Sequence, residues 1–540
     1  MKSWLHTKIV ERLVLSLTLL GTLSITPKYS FDPINIPKFG FLVVAAMPLL
    51  FYVIPHFKGL PRALRIACIF FILWAFLSLA FHDNARAKQL YGEFGRNTGI
   101  ITYLALTILM LAAALIATKH FAIKVSKVLS ACGFLSTLYG FIQWLNLDPI
   151  EWSNSYGISV VGFFGNPNFM SSFLGIYSVF LLHELAFSNS YNRVFQVSTL
   201  AINLFLIFET KSIQGLGLFL IGIVSSLLYS FHIIKRIRVS SNVLTVFVCA
   251  VVITIALLFA NSSIMRLLNS QETLVFRWHY WNAGIKMAME NPVFGVGFDA
   301  YGDWYRNARS EAAISFIGSS VITNAAHNVF VDLLASGGFV LFFAYFSMQI
   351  LVLRSGLRIL KRRKEFEGPA VGLVFCWISY LVQSCFSINQ IGLAIWGWLL
   401  AGVILGIDFN QQRLNKNAIA QTQFSSLSVL MGVLIGIVIA GPLIQKDHNY
   451  LRALEAGVAE DIEQRTLQFP LNTYYFQTTS TILAYNKLYE RELVILQRAV
   501  EFNKRDFLSW QRIEKNQESS VHLKKLALKE LGNLDSNPND

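Results

Sequence analysis

Residues 99–117 read GIITYLALTILMLAAALIA, a stretch with no charged side chain. At 1.5 Å of helix rise per residue it covers roughly 28 Å, close to the hydrocarbon thickness of a bilayer. Comparable apolar runs recur along most of the chain. They predict about thirteen helices, near 13–25, 36–54, 63–81, 99–117, 128–146, 169–187, 194–209, 214–231, 243–260, 327–353, 370–388, 391–407 and 424–444. The expected fold is therefore an all-α polytopic membrane bundle of about 12–13 spans. Only Thr210–Ile213 separates the seventh and eighth segments, which read as two spans or as one broken or re-entrant element.

Composition agrees. Of 540 residues, 54% are hydrophobic and only 14% charged, against roughly 25% charged in soluble domains, which argues against a cytosolic globular enzyme. The mean hydropathy is +0.51. The five cysteines (Cys68, Cys132, Cys249, Cys376 and Cys385) all lie in apolar runs, without metal-ligand spacing. The basic start, Met1 to Arg12, leads into an apolar stretch lacking a small-residue cleavage site, so it reads as a retained first span.

Basic residues set the expected topology. Lys58/Arg62/Arg65, Lys119/Lys124/Lys127, Lys235/Arg236/Arg238 and the run Arg354, Arg358, Lys361–Lys364 all fall on one side, assigned as cytoplasmic. Segments 82–98, 147–168 and 261–326 and the Thr210 break then face outward. So does the tail, 445–540, if the span number is odd. This divides the chain into a membrane domain, 1–444, with an outer loop at about 261–326, and an outer helical tail. The tail holds 13 Lys and Arg against 14 Asp and Glu, so the membrane region, with 32 against 17, carries the whole net charge of +14. That excess sets orientation, and nucleic acid is not needed as a partner to explain it. In the tail, Gln468–Asn472 and Glu501–Arg505 lie about 33 residues apart, a period suited to tetratricopeptide helix pairs. Leu531–Asp540 are expected to be disordered.

Of ten histidines only His82, His279 and His327 fall on the outer side of the membrane region. His327, in Asn324–Phe330, opens a long span where loop meets membrane; a neutral imidazole there suits a general base. The alternative is a local hydrogen bond at a helix start capped by Asn324. Arg277 sits in the aromatic segment Phe276–Ala283, which reads as an interfacial helix. It suits bidentate phosphate binding or, alternatively, anchoring to headgroups by snorkelling. Lys211 lies between two apolar segments, where a cation costs at least about 2.5 kcal/mol and marks a functional candidate; pairing with Glu209 is the plainer reading. The turn Asn291–Gly297 offers the amides of Gly295 and Gly297 to a phosphate. Arg96, between Gly95 and Gly99 in sequence, reads equally as ligand contact or interface anchor. Asn166 and Asn168 read as turn and cap residues, and Asp299 and Asp303 as solvated loop residues without a ligand set for a metal.

Together these features resemble the bacterial O-antigen ligase and polymerase superfamily. The resemblance rests on Arg277 and Trp281, on Asn291-Pro292 through Gly297, and on His327-Asn328 before Gly337-Gly338, with Gly95–Gly99 and Gly165–Asn168 as further recurring features. It implies transfer of a glycan from undecaprenyl pyrophosphate to an acceptor hydroxyl on lipid, glycan or protein, at the outer face of the bacterial cytoplasmic membrane. No nucleotide, metal or other cofactor is implied. Arg277, helped by Lys211, Arg96, Gly295 and Gly297, would hold the pyrophosphate; His327 would orient or deprotonate the acceptor, with inversion at the sugar. Asn328, Trp281 and Gln214 would support them. The family's arginine in a Thr-x-Ser-Arg-like break is replaced here, since Thr210-Lys211-Ser212 is followed by Ile213 and Gln214. The competing expectations are a polymerase of lipid-linked repeat units, a protein O-oligosaccharyltransferase, a flippase for lipid-linked glycans, and a scaffold built on the tail. A flippase more often shows inverted repeats and deep polar residues, and none is evident.

Overall fold

The computed structural model describes residues 2–82, 85–150, 152, 160–185, 190–235, 272–362, 369–413 and 425–535. All secondary structure among them is helical. Nine helices precede the undescribed 236–271: α1 Lys2–Leu23, α2 Asn35–His56, α3 Arg62–Phe81, α4 Arg86–Tyr91, α5 Ile100–Ile116, α6 Lys119–Trp144, α7 Pro167–Leu185, α8 Ser190–Glu209 and α9 Ile213–Lys235. Then come α10 Glu272–Glu290, α11 Tyr301–Ala308, α12 Glu311–Ile317, α13 Val329–Lys361, α14 Pro369–Ser384, α15 Ile391–Arg413 and α16 Ser426–Ala456. The tail adds α17 Ala459–Thr466, α18 Thr473–Tyr485, α19 Tyr489–Phe502, α20 Phe507–Lys515 and α21 Val521–Leu534. Twelve of the thirteen expected apolar segments coincide with helices; 243–260 lies outside the described residues.

Among the described residues six helices are long and apolar enough to cross a membrane: Asn35–Gly59, Arg62–Phe81, Lys119–Trp144, Val329–Lys361, Ile391–Phe409 and Ser426–Ala456. Three more apolar helices are shorter, such as Ile100–Ile116. Thr118 caps α6 by accepting from Phe121 N, and so divides it from α5.

Close packing in this bundle depends on small residues, as expected where lipid removes the hydrophobic drive between helices. On α15, a Cβ at Gly402 or Gly406 would stand 2.3 Å from the carbonyl oxygen of Met110 or Ala114 on α5. On α16, a Cβ at Gly432 would come 2.4 Å from Pro48 Cα, and one at Gly436 2.6 Å from Val44 Cα. Both pairs are four residues apart, hence on one helix face. The described spanning part of α15 is wholly buried, making it the central helix, whereas α3 and α16 keep most of their apolar surface outward.

The two ends of the bundle differ. At one end Arg358 and Arg362 pair with Asp408 (2.9 and 3.4 Å), and Lys124 pairs with Glu11. The other end gathers the segments expected to face outward, and the tail with them. Helix α16 runs out of the bundle without a break. At its exit Lys446 donates to the carbonyls of Thr466 and Pro470, while the Asp447 carboxylate accepts from Phe31 N, Asp32 N and the Tyr475 hydroxyl. The tail then folds back over the same end. Phe94 stacks on Tyr474, and Asn503 donates to Asp303. Near the C-terminus, Asp535 binds both Arg306 (2.8 Å) and Arg309 (2.9 Å). Leu531–Asp535 are thus ordered, with Leu534 and Asp535 buried, contrary to the disorder expected from composition.

Removing one partner of a buried ion pair typically costs about 3–5 kcal/mol. Asp535→Ala should therefore lower the thermal unfolding midpoint of the detergent-solubilised protein by several degrees. An unchanged midpoint would mean that the tail's end carries no structural load.

Candidate active site

The site is built where α10 and the segment 291–328 meet the broken start of α13. Tyr280, Ala283 and Met287 recur at helical spacing on α10 and face a small cluster with Val296, Tyr301, Tyr305 and Ala326. Trp281 packs against the edge of this cluster and reaches Phe386 at 5.9 Å between ring centres.

Helix α13 is interrupted at Gly338 (φ 69°, ψ −169°). The break frees carbonyls that the turn 291–297 satisfies. Val296 N donates to Ala335 O (2.8 Å), Gly297 N to Ser336 O (3.0 Å), and Phe339 N to Pro292 O (2.9 Å). Trp74 Nε1 of α3 adds bonds to the carbonyls of Val293 and Gly337. A Cβ on Gly295, whose φ is +66°, would stand 2.3 Å from Ala335 O. Gly295 N itself donates to Asn291 O. The amides of Gly295 and Gly297 are therefore committed to backbone carbonyls, which corrects the expectation that they face a phosphate. Their physical role is to plug a broken helix, as buried backbone groups require.

His327 precedes the first residue of α13. Asn328, not Asn324, is the cap, its Oδ1 accepting from Phe330 N (2.9 Å) and Val331 N (3.2 Å). His327 has φ +54°, a left-handed conformation costing a non-glycine residue roughly 1–2 kcal/mol. Such strain is a pointer to function when the surroundings impose it. The imidazole lies over Tyr280, 5.8 Å between centres and 29° between planes. Burial first, then the charges of Arg277 and Arg96, hold its pKa down at about 4. At neutral pH it is uncharged, and one ring nitrogen can take up a proton.

Arg277 is half-buried, and among the described residues no carboxylate pairs with it and no acceptor hydrogen-bonds to it. Burial lowers its pKa, with Tyr280 opposing. A cation held partly out of water without a counter-ion is a site for an anion. The guanidinium and His327 lie close enough for the one to depress the basicity of the other.

The remaining candidates divide. Arg96 is buried; its Nη2 pairs with Asp299 Oδ1 (3.0 Å) and donates to Asn324 O (2.9 Å). Burial would lower its pKa, but Asp299, then Asp332 and Glu93, raise it. Its Nη2 is thus engaged by the protein. Lys211 is exposed, has φ +55°, and among the described residues forms no salt bridge with Glu209. It lies at the α8–α9 break, which Ser171 and Ser172 of α7 hold through Ser212 O, Gly215 N and Gln214 Oε1. Among the described residues no hydrogen bond, ion pair or ring contact joins this break to Arg277 or His327. Asp299 and Asp303 are not solvated: Asp299 also accepts from Glu93 N, and Asp303 pairs with Lys88 at 3.0 Å.

One functional candidate escaped the sequence reading. Asp332, in the first turn of α13, accepts from Ala326 N at 2.7 Å. With Arg96, Asp299, Tyr103, Tyr301 and Asn324 it lines a cavity of about 20 Å³, room for roughly one water. Its signal was present, since an acid inside an apolar span is a candidate by the same rule that singled out Lys211.

Residues 198–346 match the family model described as O-antigen ligase. The match contains the α8–α9 break, Arg277, the 291–297 turn and His327, so it bears out the superfamily resemblance seen in the sequence. No curated protein matches the chain.

Proposed function

We propose, with an O-antigen ligase domain at residues 198–346 as the premise, that this membrane protein transfers a glycan from undecaprenyl pyrophosphate to an acceptor hydroxyl. The observation that supports it is a neutral imidazole beside a half-buried arginine that has no counter-ion among the described residues. His327 takes the proton of the acceptor hydroxyl, and the oxygen attacks the anomeric carbon from the face opposite the phosphate. The carbon–oxygen bond to the pyrophosphate breaks, its electron pair leaves with the phosphate, and the sugar inverts. Arg277 stabilises the charge that accumulates on the leaving group. The proton on the imidazolium is then released to water. Burial is the first cause of the depressed His327 basicity; binding of the dianionic pyrophosphate at Arg277 offsets the second, the repulsion from that guanidinium, so the base strengthens when the donor is present.

On this reading Lys211, supported by Gln214, contacts the distal phosphate from the neighbouring break, as a point charge rather than a fork. Residues 1–444 form the transferase unit, and 445–540 a tetratricopeptide-type tail on the same, outer face of the bacterial inner membrane. Orientation has a direct test. In a cysteine-free background, cysteine at the exposed Ala312 should react with an impermeant thiol reagent in intact cells, and cysteine at the exposed Lys361 should not. The reverse pattern would overturn the outer placement of the site. Function itself is tested in a deletion strain by sizing surface glycans. Loss of all attachment with donor accumulating supports the ligase reading, and retention of single units without long chains supports the polymerase reading instead.

A further inference from the structure

Three non-glycine residues with left-handed backbones converge behind the imidazole: Asn97 (φ 52°), Asp299 (φ 49°) and His327 (φ 54°). Short polar contacts tie the segments that carry them. Asp299 receives Arg96 Nη2 and Glu93 N, and the same Nη2 reaches Asn324 O, three residues before His327. From the other side Asp332 receives Ala326 N, the amide immediately before His327. The turn is thus gripped at two points, both ahead of its strained residue, and Asn328 caps the helix immediately after it. Asp332 itself comes from the helix that Asn328 caps, so the turn and the start of α13 are locked as one unit.

We propose that Asp332 and the Arg96–Asp299 pair are positioning residues, which hold the left-handed turn that aims the His327 imidazole at the acceptor hydroxyl. This rests on His327 being the base, and it moves Arg96 from donor binding to positioning. The two roles predict different kinetics. A donor ligand loses affinity when altered, whereas a positioning group loses turnover, because a small displacement of the base is felt in the reaction step and not in donor binding.

The test is steady-state transfer with purified protein and a lipid-pyrophosphate-linked glycan. Asp332→Ala removes the acceptor of Ala326 N and should lower kcat at least about 30-fold, with KM for the donor changed less than about threefold. Asp332→Asn keeps an oxygen in the same place and should recover most of that loss. Arg96→Lys, which keeps the charge beside Asp299 but ends in a shorter point donor placed differently from Nη2, the one nitrogen that bonds both Asp299 and Asn324 O, should also lower kcat and not raise KM. It decides the matter if Asp332→Ala does not accumulate. An unchanged kcat in Asp332→Ala, an equal loss in Asp332→Asn, or a rise in donor KM with steady kcat in Arg96→Lys would overturn the proposal. His327→Asn, run alongside, separates the two levels: activity in that variant removes the base itself, and inactivity there with normal Asp332 and Arg96 variants removes only the positioning.

Discussion

Glycan transfer by the His327→Ala protein is expected to fall by about 10²–10⁴-fold, the usual contribution of a positioned general base. The loss should come without loss of the membrane bundle. His327 stands in a turn ahead of α13, and its ring touches Tyr280 rather than filling the bundle core. Alanine at φ +54° is strained, so a fall in activity alone would not separate lost chemistry from a lost turn. His327→Asn makes that separation, because asparagine tolerates the left-handed region but is no base. Both variants should be inactive at wild-type yield; transfer near wild-type by His327→Asn would sink the assignment. The pH dependence carries a second signature. The free protein's imidazole pKa is depressed to about 4, below its ordinary 6.5, so the base is already unprotonated at neutral pH. The acid limb of kcat/KM should therefore lie well below 6.5. The same shift acts on stability. The unfolded chain binds a proton at this residue as pH falls below 6.5 while the folded one resists until about 4, so the residue's contribution is lost across that window.

Much of this architecture was legible in the sequence for one physical reason. A bilayer leaves backbone groups no partner but their own helix, so apolar length reports helices directly. Segments such as 36–54 and 63–81 accordingly fall within a few residues of α2 and α3. The charge pattern also grouped the segments that the structure gathers at one end, since Asp303 of the outer loop and Asn503 of the tail do meet. The long-range closure was not legible. Asp535 with Arg309, or Arg96 with Asp299, are pairs about 200 residues apart that leave no local periodicity. The use of Gly295 and Gly297 was misread for a related reason. A glycine turn shows that backbone comes close to something, and only the broken helix at Gly338 shows that the partner is another backbone. Asp332 was missed although a charge in an apolar span was the criterion in hand, because its sequence neighbours spell an ordinary helix start.

Arg277→Ala should reduce kcat/KM by about 10²–10³-fold, the range seen when one charge-stabilising donor is removed from a site shielded from water. Arg277→Lys is the more telling variant. If the guanidinium only anchors α10 to headgroups, lysine snorkels equally well and activity is kept. If it grips a pyrophosphate through two parallel hydrogen bonds, lysine retains the charge but not the fork, and activity should stay at least tenfold down. A neutral substitution tests the link to the base. With Arg277→Gln the larger of the two charges acting on the imidazole is gone, so the pKa of His327 should rise from about 4, with burial and Arg96 still holding it below its ordinary value. The acid limb of kcat/KM should move upward in the same direction even though the rate is lower. Donor binding should shift it less than in the wild-type protein, because the Arg277 charge is no longer there for the pyrophosphate to offset. An acid limb that stays in place in Arg277→Gln, or full activity in Arg277→Lys, would detach the arginine from both the leaving group and the base. Arg277 would then have no role beyond seating α10 at the membrane surface.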